Sequence, residues 1–201
     1  MEFTDAVRSR RMTRYFLSDP VDETTLDQLF SLSLRSPSAG SSQGVELLVL
    51  TKEVARANFW ETISEPDWRQ DERRSRGLTQ APVIVIPCAS PDTYIERYSR
   101  SDKTSSTLAG LAPQSWPVPY WSVDAAFAAM TLLLSVSDVG LGALFFHLQG
   151  REEQFLRAFN VPEEMIAIGA IAIGVPESTP PEKRSLARRR SSKERVHHDR
   201  W

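Results

Sequence analysis

Residues 121–139 constrain the fold more than any other stretch of this chain. They place Ala125, Ala126, Phe127, Ala129, Met130, Leu132, Leu133 and Leu134 around most of a helix's circumference. A helix apolar on nearly every side belongs at the centre of a core. Gly140-Leu141-Gly142 ends it, as glycine does just past a helix. Apolar runs at residues 45–50 (VELLVL), 82–88 (PVIVIPC) and 165–175 (MIAIGAIAIGV) read as buried strands, and 143–148 (ALFFHL) as a shorter extended run. Residues 22–34 read as an amphipathic helix. Asp22 is its N-cap, and Thr25, Leu26, Leu29, Phe30 and Ser33 share one face. Further helices are expected at 1–10, 52–63, 92–100 and 151–159. Helices and strands alternate without an internal repeat, which points to an α+β or α/β chain in three layers.

A chain of 201 residues is long enough for one domain with a sizeable core. The expected organisation is a single domain over 1–201 with a basic arm at about 180–201. That arm carries eight Lys/Arg against three Asp/Glu, whereas the rest of the chain carries 16 against 23. A formal net charge of −2 and 41% hydrophobic residues exclude a disordered chain and a strongly basic nucleic-acid binder. The N-terminus has no apolar signal core and no run approaches the roughly 18 apolar residues of a span, so a soluble, cytoplasmic protein without a membrane partner is expected. Cys88 is the only cysteine, and His147, His197 and His198 have no metal-ligand spacing. No metal is expected, and if the chain is an enzyme its chemistry belongs to an organic cofactor.

Two segments suit such a cofactor. Arg10, Arg11 and Arg14 place three guanidiniums within five residues, and guanidinium forks match phosphate oxygens. By itself the cluster reads more readily as a solvated basic patch. Pro37-Ser38-Ala39-Gly40-Ser41-Ser42-Gln43 offers backbone N–H groups, hydroxyls and an amide with little bulk. That suits the edge of a flat heterocycle, and by itself also a plain helix-to-strand connection. Residues 65–80 read as a mobile surface helix or loop, and 101–119 as a lid or binding segment. Cys88 reads as a small buried hydrophobe. His147 reads as a half-buried histidine, with a proton donor as the alternative.

Taken in order, these segments resemble a known family. Arg10-Arg11-x-x-Arg14-x-Phe16, then Asp19-Pro20-Val21, a helix, and Pro37-Ser38-Ala39-Gly40-x-x-Gln43 before an apolar strand resemble the opening of the nitroreductase-like flavoproteins. Asp124 at the start of the Ala-rich helix, DVGLG at 138–142, FNVPE at 159–163 and the VHHDRW ending resemble its later landmarks. The resemblance spans most of the chain, apart from about 52–80 and 91–120.

The resemblance implies an α+β, three-layer sandwich with a mixed central sheet flanked by helices, in an intertwined homodimer with FMN at the subunit interface. It implies that Arg10, Arg11 and Arg14 hold the phosphate and ribityl side from one subunit. Pro37, Ser38, Ala39 and Ser41, with Gln43 close by, line the flavin from the other. Leu144, Phe145 and Phe146 pack along the isoalloxazine and offer backbone donors near its reactive edge. A tail arginine grips the phosphate: counting back from the ending selects Arg190 with Arg189 beside it, and counting forward from Gly174 selects Arg184. The implied reaction passes a hydride from NADH or NADPH to FMN, then electrons to a small electron-poor acceptor, nitroaromatic- or quinone-like, in a ping-pong cycle. No side chain is assigned a catalytic role. Alternatives within the fold are flavin fragmentation by oxygen or reductive dehalogenation, and outside catalysis a flavin-binding protein. Tyr94, Tyr98 and Lys103 lie where the family builds its substrate lid, and Trp116, Tyr120 and Trp121 end that segment as candidates for stacking or packing. The chain departs from the family at Met12 in place of Ser, at Ser41 in place of Asn, and at Gly44-Val45 in place of Pro-Trp.

Overall fold

The computed structural model describes residues 1–177 and 191–201, apart from the side chains of residues 72–74 and 193. In chain order the elements are α1 (Phe3–Ser9), α2 (Glu23–Ser33), β1 (Val45–Leu50), α3 (Glu53–Ile63), α4 (Pro66–Gln70), α5 (Glu72–Thr79), β2 (Val83–Ala89), α6 (Pro91–Ser99), α7 (Tyr120–Asp138), β3 (Gly142–Phe146), α8 (Glu152–Ala158), β4 (Ile166–Ala167) and β5 (Ala170–Gly174). Single 3-10 turns lie at Ala39–Ser41, Ser101–Lys103, Pro113–Ser115 and Ser192–Glu194.

Every residue of β2 is buried, and this strand lies inside a sheet ordered β1-β2-β5-β3, with β4 also paired to β2. Side chains alternate across a strand, so the sheet supplies two cores. Ile84, Ile86, Ala170 and Ala172 pack with Phe59, Trp60 and Ile63 of α3 and Phe155 of α8. Val83, Val85, Ile171 and Ile173 pack with Leu26 and Leu29 of α2 and Leu132, Leu133 and Val136 of α7. Helices therefore cover both faces, in the three layers expected. Burying each such Leu or Ile contributes about 1.5–3 kcal/mol.

All ladders between these strands are antiparallel. Among the described residues the parallel pairing is the isolated bridge Met12–Ala143, where the Thr13 amide donates to the Ala143 carbonyl at 2.9 Å. The mixed character expected of the sheet is confined to that bridge, which lays the basic segment along β3.

The run 165–175, expected as one strand, is two. Val85 pairs with Ile171, but three residues later Cys88 pairs with Ala167, so the returning strand holds one extra residue and bulges at 168–169. Residues 65–80 form α4 and α5; Ser75 is buried and Gly77 accepts the Phe16 amide at 3.1 Å. Residues 101–119 fold back through two 3-10 turns and bury Trp116 against Tyr98 and Trp121. Helix α7 is, among the described residues, the one helix long and apolar enough to cross a bilayer. Its buried Trp121, Ala125, Ala128, Leu132 and Val136 face this chain's own core instead.

Candidate functional site

Arg14 and Tyr15 leave β3 at the rim of a cavity of about 590 Å³. Its walls are aromatic: Trp60 stacks on Phe146 (5.5 Å between centroids, 12° between planes), and Trp68 tilts onto Trp60 at 5.6 Å. Leu144 and Gln149 also line it, with Glu65 ion-paired to Arg151 at the same wall. Arg14 is exposed, and its closest described hydrogen bond is a long one to the Met12 carbonyl at 3.4 Å. The Arg10 guanidinium holds one buried nitrogen, Nη1, with no hydrogen-bond partner among the described residues. An orphaned buried donor on a cation is costly unless a ligand satisfies it. Arg11 is turned elsewhere. Its Nη1 donates to the carbonyls of Arg8, Ser9 and Arg10 at 2.7, 2.9 and 3.0 Å and caps the end of α1.

Leu144 and Phe146 face this cavity, while Phe145 points through the sheet to the α2/α7 core, as alternation along β3 requires. His147 is exposed and its Nδ1 accepts the Gln149 amide at 3.0 Å.

The loop 37–43 lines a second cavity, of about 530 Å³, through Pro37, Ser38, Ser41 and Gln43. Its backbone is unusual: Gly40, Ser41 and Gln43 have φ of 62°, 57° and 54°. Non-glycine residues occupy that region at a cost, and such strain collects at binding sites. Ser38 Oγ accepts the Gln43 amide at 3.0 Å, and the Ser42 hydroxyl donates to the Ala39 carbonyl at 2.6 Å. Within one chain, then, Arg14 with β3 and the small-residue loop stand at two separate cavities, and Arg10 and Arg11 line neither of the two.

The loop is held by residues that the sequence reading did not place at the site. Asp124, on α7 and buried, accepts the Ala39 amide at 2.8 Å and the Tyr94 hydroxyl at 2.7 Å. Arg97 Nε donates to the Gly40 carbonyl at 2.8 Å, and its two terminal nitrogens bind both oxygens of Asp102. The Arg97 guanidinium holds Asp102 below the usual carboxylate range. Burial, with Asp124 alongside, pushes the Tyr94 phenol well above its ordinary value. Tyr94, Arg97 and Tyr98 fall at i, i+3 and i+4 on α6, a spacing that puts them on one face. Tyr94, Tyr98, Trp116 and Trp121 form a third packed cluster, and Lys103 Nζ stands 5.4 Å from the Tyr98 ring centre. Arg97 directly and Tyr94 through Asp124 hold the loop, and Ala39 packs against the aromatic cluster. Trp60 and Trp68 were also missed. The signal for Trp60 was available, since Phe59, Trp60 and Ile63 lie together on the buried face of α3.

Cys88 faces the α3/α8 core, where burial raises its thiol to about 12. Among the described residues no group of three or more metal-ligating side chains occurs. Arg184, Arg189 and Arg190 lie outside the described residues.

Comparison with known proteins agrees with this architecture. The model of the nitroreductase family matches residues 7–175. A Methanothermobacter thermautotrophicus protein provisionally named NADH dehydrogenase/NAD(P)H nitroreductase is 24% identical, over 100% of this chain and 88% of its own length. The FMN reductase (NAD(P)H) of Bacillus subtilis is 21% identical, over 98% of this chain and 73% of its own. Among solved structures, a nitroreductase family protein of Streptococcus pneumoniae superposes with a TM-score of 0.74 at 17% identity, covering 98% of this chain and 99% of that one.

Proposed function

Because the chain belongs to the nitroreductase family, we propose that it is an FMN-dependent oxidoreductase acting as a homodimer. The observation that carries this reading is the buried Nη1 of Arg10, which has no hydrogen-bond partner among the described residues, four residues before an Arg14 that stands at an aromatic cavity. An extended run of that length reaches up to about 14 Å, so the two guanidiniums can lie along the phosphate and ribityl side of one ligand. Leu144 and Phe146 supply the apolar wall, and the cavity's volume suits a ligand of this size. The names of the B. subtilis relative and of an FMN-dependent nitroreductase from Clostridium difficile (TM-score 0.70, 16% identity, 98% of this chain, 99% of that one) support the choice of flavin.

FMN, when bound, would supply redox chemistry between NADH or NADPH and a small electron-poor acceptor, nitroaromatic- or quinone-like, in alternating half-reactions. The chain's own part is to bind, orient and exclude water. Arg10 and Arg14 would hold the phosphate and ribityl side of the flavin, together with Arg189 or Arg190. Trp60, Trp68 and Phe146 would give the ring system an aromatic wall.

The two separate cavities of one chain support the dimer, since a flavin touching both the basic segment and the loop 37–43 needs the loop of a second copy. On α7 the exposed Phe127 and Met130 offer an apolar strip for that contact, with Leu32 and Leu34 exposed nearby in the chain that packs on α7.

The absorbance spectrum of the purified protein tests the reading. A flavin spectrum with one FMN per chain, bleached anaerobically by NADH or NADPH, is expected. A protein that stays colourless and leaves flavin fluorescence unquenched in excess FMN overturns it. Flavin that binds but resists both nicotinamides marks a carrier instead.

A further inference from the structure

Helix α6 lies in a stretch, about 91–120, that carries none of the sequence landmarks of the family, yet its inner face is built onto the loop 37–43. Tyr94 reaches Asp124 and so fixes the Ala39 amide. The Tyr98 ring leaves no room beside Gly40, where an added Cβ would stand 2.8 Å from Tyr98 Cε2. Arg97 makes the one direct polar contact described between α6 and the loop, from Nε to the Gly40 carbonyl. The carbonyl belongs to the first of the loop's left-handed residues. The Arg97 side chain is only 19% exposed and is fixed at its far end by a two-pronged pair with Asp102, the first acidic residue of the 101–119 segment. A fork anchored at both ends transmits position because its planar geometry leaves it no alternative pose.

We propose that Arg97 is a positioning residue for the flavin wall: it sets the Gly40 carbonyl and the left-handed turn after it, and Asp102 holds it in that pose. This rests on the reading of residues 37–43 as a flavin wall. The contact touches the ring side of the site and not the phosphate, so its loss is felt equally by flavins with and without phosphate. It also makes segment 101–119 a determinant of flavin affinity without touching the flavin, because the Asp102 end of the fork belongs to that segment.

The test uses the full chain with Arg97→Ala, Arg97→Lys and Asp102→Asn, titrated with FMN and with riboflavin. Amide hydrogen exchange over residues 37–44 is followed in the flavin-free protein. Arg97→Ala is expected to weaken both flavins by about tenfold, the low end for a lost hydrogen bond to a charged group, and to raise exchange over 37–44. Arg97→Lys should recover only part of this, since one ammonium cannot reach Gly40 and both Asp102 oxygens together. Asp102→Asn should give a smaller loss in the same direction, and it carries the test if Arg97→Ala does not fold. Unchanged flavin affinities with unchanged exchange overturn the proposal. So does a loss for FMN alone, which would place Arg97 on the phosphate. If the unaltered chain binds no flavin, the proposed function fails; the exchange measurement still decides whether Arg97 holds the loop.

Discussion

The Tyr94 hydroxyl donates to Asp124 Oδ2 at 2.7 Å, and the same carboxylate oxygen accepts the Ala39 amide at 2.8 Å. One buried oxygen thus ties α6, α7 and the loop 37–43 together. A carboxylate 3% exposed keeps its place only if donors replace the water it has lost. The shared acceptor ties the buried Tyr94 hydroxyl to the backbone of the loop just before its left-handed turn.

Tyr94→Phe leaves Asp124 with one donor fewer. The expected loss is about 1–3 kcal/mol of stability, the cost of leaving a buried polar group short of a partner. Urea unfolding reads it as a lower midpoint with an unchanged slope. The pH dependence also changes. With the folded phenol raised well above its ordinary value, the unfolded chain loses this proton first, so wild-type stability falls as pH rises past about 10. The variant lacks that part of the fall. Equal midpoints at pH 8 for the two proteins count against the bond.

Arg10→Ala should weaken FMN binding by about 1.5–3 kcal/mol and leave riboflavin nearly unaffected, because a guanidinium on a phosphate contributes only when the phosphate is present. Arg190→Ala should show the same selectivity, with Arg184→Ala as the control. Titration of the apo-variants with both flavins separates the cases. Equal losses for both flavins in Arg190→Ala, or selectivity confined to Arg184→Ala, would assign the tail contact to the wrong residue.

Phe127→Glu places a charge on the exposed strip of α7, where Phe127 is 47% exposed in the single chain. Burying an unpaired carboxylate at an interface costs several kcal/mol. Light scattering at micromolar concentration should give a dimer for the unaltered chain and a monomer, with weakened flavin binding, for the variant. A flavin-bound monomer of the unaltered chain rules out the shared site.

Cys88 provides an alkaline marker of the core. Its thiol is raised to about 12 by burial, so between the ordinary thiol range and that value the unfolded chain releases a proton that the folded chain retains. Stability should therefore fall with rising pH there, by up to about 1.4 kcal/mol per pH unit from this group. Cys88→Ala should flatten that part of the profile. In the native protein, thiol reagents at pH 8 should label Cys88 only as fast as the core opens, and rapid stoichiometric labelling would show that the site is open.

What the sequence by itself determined was the set of elements and their layers. The all-round apolarity of α7, the uninterrupted apolar runs of β2 and β5, and the Asp22 cap of α2, whose side chain accepts the Thr25 amide at 2.9 Å, are local patterns that need no partner to be read. The likeness of the Arg10–Arg14 and Pro37–Gln43 segments to one family was equally local. Tertiary structure alone decided which groups meet. The bulge at 168–169 depends on how β4 and β5 register against β2, and register is a property of two strands rather than one. Arg11 caps α1 while Arg10 keeps a donor with no partner among the described residues, although both belong to one basic cluster, because the turn after α1 aims the two guanidiniums differently. Gly44, which looked like a departure from the family, is the residue on which the Tyr94 ring lies; an added Cβ there would stand 2.6 Å from Tyr94 Cε2. Asp124, Tyr94 and Arg97 lie up to 85 residues from the loop they hold. No spacing in a linear chain records a hydrogen bond across that separation, since it exists only once the packing of α6 and α7 has brought its two ends within 3 Å.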